Sequence, residues 1–116
     1  MALGTVAVVP QITKAGGPAL NGGNSASDPY YVEEVTVVGD TSYPTGGSIG
    51  LDTAYQAIDA AHSMRTIIAV HTIDAFGYGV GWDSTNKKLK FYSSGAEVTS
   101  TTNLSGVTFK LLLISR

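Results

Sequence analysis

Cysteine is absent from the 116 residues, which excludes disulfides and thiolate metal sites and leaves the redox compartment unread. Charge is scarce as well. Charged side chains make up 14% of the chain, against about a quarter in an ordinary soluble domain, so much of the surface must be Gly, Ser and Thr or be covered by partners. Seven Lys and Arg against nine Asp and Glu give a net charge of −2. That is too few cations to follow a phosphate backbone, and no nucleic-acid partner is expected. The one basic cluster, Lys87, Lys88 and Lys90, alternates faces on a strand and reads as a guard against edge-to-edge pairing. Long apolar runs are missing too. Residues 111–114 make a strand-sized run, far short of the roughly 20 residues that span a bilayer, and Met1, Ala2, Leu3 and Gly4 lack the basic and apolar parts of a leader. A soluble, unprocessed chain with no membrane contact is expected.

What is present suits one small β domain. The apolar fraction is 43%, and a domain of this length buries roughly two-thirds of the surface its unfolded chain exposes. Thr5, Val6, Ala7, Val8 and Val9 form a β-branched run that ends at Pro10, which cannot donate to a ladder and suits an edge. Residues 15–29 are rich in Gly, Asn and Ser and too poor in apolar residues for a core, so they read as an extended arm. Residues 30–38 alternate, Val35 and Val37 against Glu34 and Thr36. Residues 51–64 are the one helical stretch, with Leu51, Ala54, Tyr55, Ile58 and His62 on one face and Asp52 as cap.

From residue 66 onward the pattern is β. Residues 66–73 are β-branched. Residues 76–82 set Phe76, Tyr78, Val80 and Trp82 against Gly77, Gly79 and Gly81, giving one bulky and one bare face, and a bare face admits another backbone. Residues 83–86 turn into a strand with Leu89 and Phe91 inward, making a hairpin. In residues 107–116, Val107, Phe109, Leu111 and Leu113 face one way and Thr108, Lys110, Leu112 and Ile114 the other, so the strand ends apolar on both faces and needs cover on both. The expected fold is all-β: a single-domain β-sandwich or small, jelly-roll-like β-barrel with one short helix. Residues 1–29 would form the N-terminal strand and arm, and residues 30–116 the body.

Enzyme chemistry finds little support. His62 and His71 stand at no metal-ligand spacing from a carboxylate, and an imidazole at a helix end usually meets the terminal carbonyls. No Gly-x-Ser-x-Gly elbow, phosphate loop or dinucleotide fingerprint is present. Glu33 and Glu34 are adjacent, so on a strand they point to opposite faces. Asp74 and Asp83 read as turn formers. No catalytic residue, cofactor or metal is expected. Trp82, Tyr78 and Tyr92 allow a carbohydrate-stacking reading, although aromatics at alternate strand positions more often pair within a core.

Four blocks carry a resemblance. They are residues 39–47 (GDTSYPTGG), 82–92 (WDSTNKKLKFY), 95–98 (GAEV) and 103–110 (NLSGVTFK). In this order the chain resembles the decoration, or cement, proteins of tailed-phage capsids, from about residue 35 to the end. The resemblance implies a virion structural protein on the outer surface of the capsid, forming a homo-oligomer (a trimer) and clamping neighbouring copies of the major capsid protein. Gly77, Gly79, Gly81, Leu112 and Ile114 are the candidate self-association residues. Val6, Val8, Val9, Ile12 and Leu20 are the candidate capsid contacts. The alternative is a carbohydrate- or receptor-binding module of a phage head fibre or tail.

Overall fold

Alternation along residues 31–38 and 108–115 builds the centre of the molecule. The structure, a computed structural model, describes residues 2–9 and 30–116. Its elements are β1 (Val6–Val8), β2 (Tyr31–Val38), α1 (Leu51–Gln56), β3 (Ile67–Asp74), β4 (Gly79–Asp83), β5 (Lys88–Ser93), β6 (Ala96–Glu97) and β7 (Thr108–Ser115). β2 and β7 pair antiparallel over their whole length, from Tyr31 opposite Ser115 to Val38 opposite Thr108. Flanked by β1 and β3, they make a four-stranded sheet in the order β1-β2-β7-β3, and β4-β5-β6 form a second sheet.

The protein is thus all-β, with two open antiparallel sheets and one short helix, and not a closed barrel. Val35, Val37, Phe109, Leu111 and Leu113 from the first sheet share one apolar core with Leu89 and Phe91 from the second, all fully buried. Phe91 and Phe109 stack across the layers with ring centroids 4.5 Å apart. Val6 and Val8 sit opposite Val37 and Val35 and pack on this core. The first strand is therefore part of the main sheet, while residues 15–29, read as an arm, lie outside the described residues.

Two expectations need correction. The helix runs only over Leu51–Gln56, is entered from Gly50 at φ 109 with no side-chain cap, and carries Asp52 inside its first turn. A separate 3-10 turn, Ala60–His62, follows, and its cap is Asp59, whose side chain accepts from the His62 amide. The apolar spacing of residues 51–62 is real, but the Asp59 cap competes with helix continuation. The glycine-rich strand likewise begins at Gly79 rather than residue 76. Phe76 (φ 53) and Gly77 (φ 90) form a turn, closed by the Tyr78 amide donating to the Ala75 carbonyl at 3.0 Å.

The four sequence blocks meet one another. Tyr43 is fully buried; its hydroxyl donates to Glu97 Oε2 at 2.8 Å and accepts from the Phe91 amide at 3.3 Å. The Leu104 amide donates to the Asp40 carbonyl at 2.7 Å, and Ser48 exchanges two 2.8 Å backbone bonds with Leu89. Asp83 accepts from the amides of Thr85 and Asn86, each at 3.0 Å, as a turn former should. Gly39 lies so close to Leu104 that a Cβ there would come within 2.3 Å of its carbonyl oxygen.

Candidate functional site

Antiparallel partners share a face, so the β2–β7–β3 register defines the outer surface of the four-stranded sheet. Val32, Ile114 and Ala69 form one row across it, and Glu34, Leu112 and His71 the next. Leu112 and Ile114 are half-buried on this face, whereas Leu111 and Leu113 are fully enclosed on the other. No described element lies across it. The edge strand β3 departs from regular pairing twice, at Ile68 and Ile73, and both side chains are exposed. Such bulges twist an edge away from a further strand.

The remaining candidate self-association residues are scattered. Gly77 lies in the turn before β4, with open space at its Cβ position. Gly79 and Gly81 are covered by the chain's own Tyr92: its Cβ lies 3.4 Å from the position a Cβ would take at Gly79, and its ring edge 3.3 Å from that at Gly81. Among the candidate capsid contacts, Val6 and Val8 turn into the core and Val9 is half-buried. Ile12 and Leu20 lie outside the described residues. The three candidate stacking rings do not form one platform. Trp82 pairs with buried Leu89 on the core side, with Nε1 buried and unbonded; Tyr92 lies on the opposite face; Tyr78 packs edge-on against Phe109.

The unforeseen feature is an ionic cluster at one end of the core. Glu33 shares the inward face of β2 with Val35 and Val37 and is only 6% exposed. Its carboxylate accepts from the Tyr55 hydroxyl, from Arg65 at 2.8 Å and from His62 Nε2 at 2.9 Å. His62 Nδ1 meets Asp59. With its proton given to Glu33, Tyr55 takes a second bond from the Ser115 hydroxyl at 2.8 Å. The Arg65 guanidinium also lies 3.8 Å above the Tyr31 ring. Burial, and then the hydrogen bond to Glu33, raise the Tyr55 hydroxyl above its ordinary value. The His62 contact holds Asp59 below its own. The imidazole at the end of the helical region therefore binds two carboxylates rather than terminal carbonyls.

Parity could have found this cluster, because Glu33 keeps step with Val35 and Val37. Its partners come from residues 55–65, beyond the reach of any local pattern. The arrangement clamps residues 55–65 to one end of the four-stranded sheet. His62 sits between Asp59 and Glu33, so the three groups do not converge on a point, and among the described residues no group of three could hold a metal ion. Ser115 bonds Tyr55, so the hydroxyl lacks the base contact a nucleophile needs. The contacts of Glu33 with His62 and Arg65, and of His62 with Asp59, all belong to this cluster.

A second polar site lies on the surface near β6. An open pocket of about 360 Å³ is lined by Tyr78, Ser93, Glu97, Thr99 and Thr102 over Val98. Glu97 Oε2 accepts from the Tyr43 hydroxyl and from the Gly46 amide at 2.7 Å. These two bonds, the tyrosine first, hold its carboxyl below the usual range.

Comparison of the chain with protein-family models, with curated proteins and with solved structures finds no match. No helix among the described residues is long and apolar enough to cross a membrane.

Proposed function

We propose that the chain is a non-enzymatic structural protein of a phage virion: a capsid decoration protein that associates with its own copies on the outer shell and clamps neighbouring major capsid subunits. The observation that carries this reading is the outer face of the four-stranded sheet. Its central strand presents Leu112 and Ile114 outward, with Val32 and Ala69 beside Ile114, and no described element covers them. An apolar row on the second face of a sheet is stable when it is covered, and a repeating assembly supplies that cover. The buried chemistry supports the same reading, because Glu33, His62, Arg65 and Tyr55 are committed to one another. The order of the four sequence blocks adds the phage context.

Native mass spectrometry of the chain alone, followed by sedimentation with undecorated capsid shells, tests this. An oligomer that sediments with shells and raises their melting temperature is expected. A monomer that stays in the supernatant overturns the reading.

A further inference from the structure

The geometry points to the pocket beside β6 as a binding site for a neutral saccharide, with Glu97 as its fixed hydrogen-bond acceptor and Tyr78 as its apolar wall. The volume of about 360 Å³ falls within the range of small-molecule sites, roughly 300–1,000 Å³, and admits a pyranose ring. Glu97 is held in place by two donors on the same oxygen, the Tyr43 hydroxyl at 2.8 Å and the Gly46 amide at 2.7 Å. Its Oε1 has no hydrogen bond among the described residues. One carboxylate oxygen is thus anchored and the other is open to a ligand, so little ordering cost falls on binding.

The other groups suit the same chemistry. Ser93, Thr99 and Thr102 bring hydroxyls to the lining, and Thr102 already donates to the Thr99 carbonyl at 2.7 Å, leaving its oxygen to accept. Tyr78 is fixed edge-on against buried Phe109 with centroids 5.8 Å apart. Ala96 and Val98 extend its apolar surface. A ligand with many hydroxyls and one C–H face matches this set. An anion would meet the ionised Glu97. A calcium ion would need six to eight oxygens, and here a single carboxylate has one oxygen already doubly engaged. Of the three rings suggested by the strand pattern, Tyr78 lines this pocket, and Trp82 and Tyr92 do not.

The test uses the isolated full chain, so it is independent of shell binding. The 15N-labelled protein is titrated with N-acetyl-D-glucosamine, methyl α-D-glucoside and D-galactose, with glycerol as a control polyol. Saturable shifts with at least one sugar, centred on Tyr78, Ser93, Glu97, Thr99 and Thr102 and absent with glycerol, are expected. Glu97→Gln should weaken that sugar by roughly ten-fold, as for loss of one charge-assisted hydrogen bond. Thr99 is exposed, so Thr99→Val should weaken binding with the unfolding curve unchanged. The inference is overturned by no saturable shift with any sugar, by shifts centred elsewhere, by equal shifts with glycerol, or by a response that both variants leave intact.

Discussion

Glu33 and His62 lie 29 residues apart in sequence and meet at 2.9 Å inside the protein, joining the second strand to the turn that follows the helix. Their side chains are 7% and 8% exposed. A carboxylate so enclosed is costly unless its oxygens find donors, and here Tyr55 and Arg65 serve Oε1 and His62 serves Oε2. The clamp holds residues 55–65, which have little regular structure of their own, against the sheet end where Ser115 completes the network.

Glu33→Gln should therefore be severe. An amide cannot accept from three donors with a carboxylate's strength, and Arg65 loses its counter-charge in a largely enclosed site. Breaking a buried pair from one side costs about 3–5 kcal/mol, so urea unfolding should show a lower midpoint and a large loss of stability. Glu34→Gln, one residue along but on the outer face, should change stability by less than about 0.5 kcal/mol. Equal effects would contradict the clamp.

Gly39 offers a sharper steric test. A methyl group there would press on the Leu104 backbone at 2.3–2.8 Å, and a backbone carbonyl cannot swing aside as a side chain can. Gly39→Ala is expected to cost about 1–3 kcal/mol, the usual range for overpacking. Gly106→Ala meets nothing within 4 Å and should stay within about 0.5 kcal/mol. Thermal melts of the two variants side by side decide it.

How much of this was legible depends on the range of the contact. Period-two alternation placed Phe109, Leu111 and Leu113 on one face and Leu112 and Ile114 on the other, and the structure agrees residue by residue. The 83–86 hairpin was legible because Asp83 and Asn86 carry their turn chemistry locally. Helix length was not, since the Asp59 cap ends a pattern whose apolar spacing continues to His62. Nor was the convergence of the four blocks: Tyr43 reaches Glu97 across 54 residues, a distance no window spans. Those blocks hold one another in place, so their order speaks first of the fold. The polar lining around Glu97 exists only once they have met.

Acid should weaken the Glu97 anchor. Glu97 is held below its ordinary value by the Tyr43 hydroxyl and then the Gly46 amide. Its contribution is therefore present above the unfolded carboxylate range, about pH 4, and is lost as pH falls through the lower folded value. Tyr43 moves the other way, raised by burial first and then by its bond to Glu97, so its share is intact in acid and fades only in strong alkali. Melting temperature against pH should fall below about pH 4 in the wild type and fall less steeply in Glu97→Gln. Some slope will persist, because Asp59 and Asp83 are also held low. An unchanged acid limb would sink the assignment.

Leu113 and Ile114 are neighbours on one strand with opposite obligations. Leu113 is fully buried, so Leu113→Ala removes contacts that nothing replaces and should cost about 2–5 kcal/mol. Ile114 stands on the outer face between Val32 and Ala69, where a Lys side chain can reach water. Ile114→Lys should leave the isolated fold nearly as stable as the wild type while abolishing the oligomer and the sedimentation with shells. The two losses separate folding from association: a Leu113 variant fails in both, an Ile114 variant only in the second. If Ile114→Lys still assembled as the wild type does, the outer sheet face would not be the association surface, and the edge at β3 with its exposed Ile68 and Ile73 would be the next place to substitute.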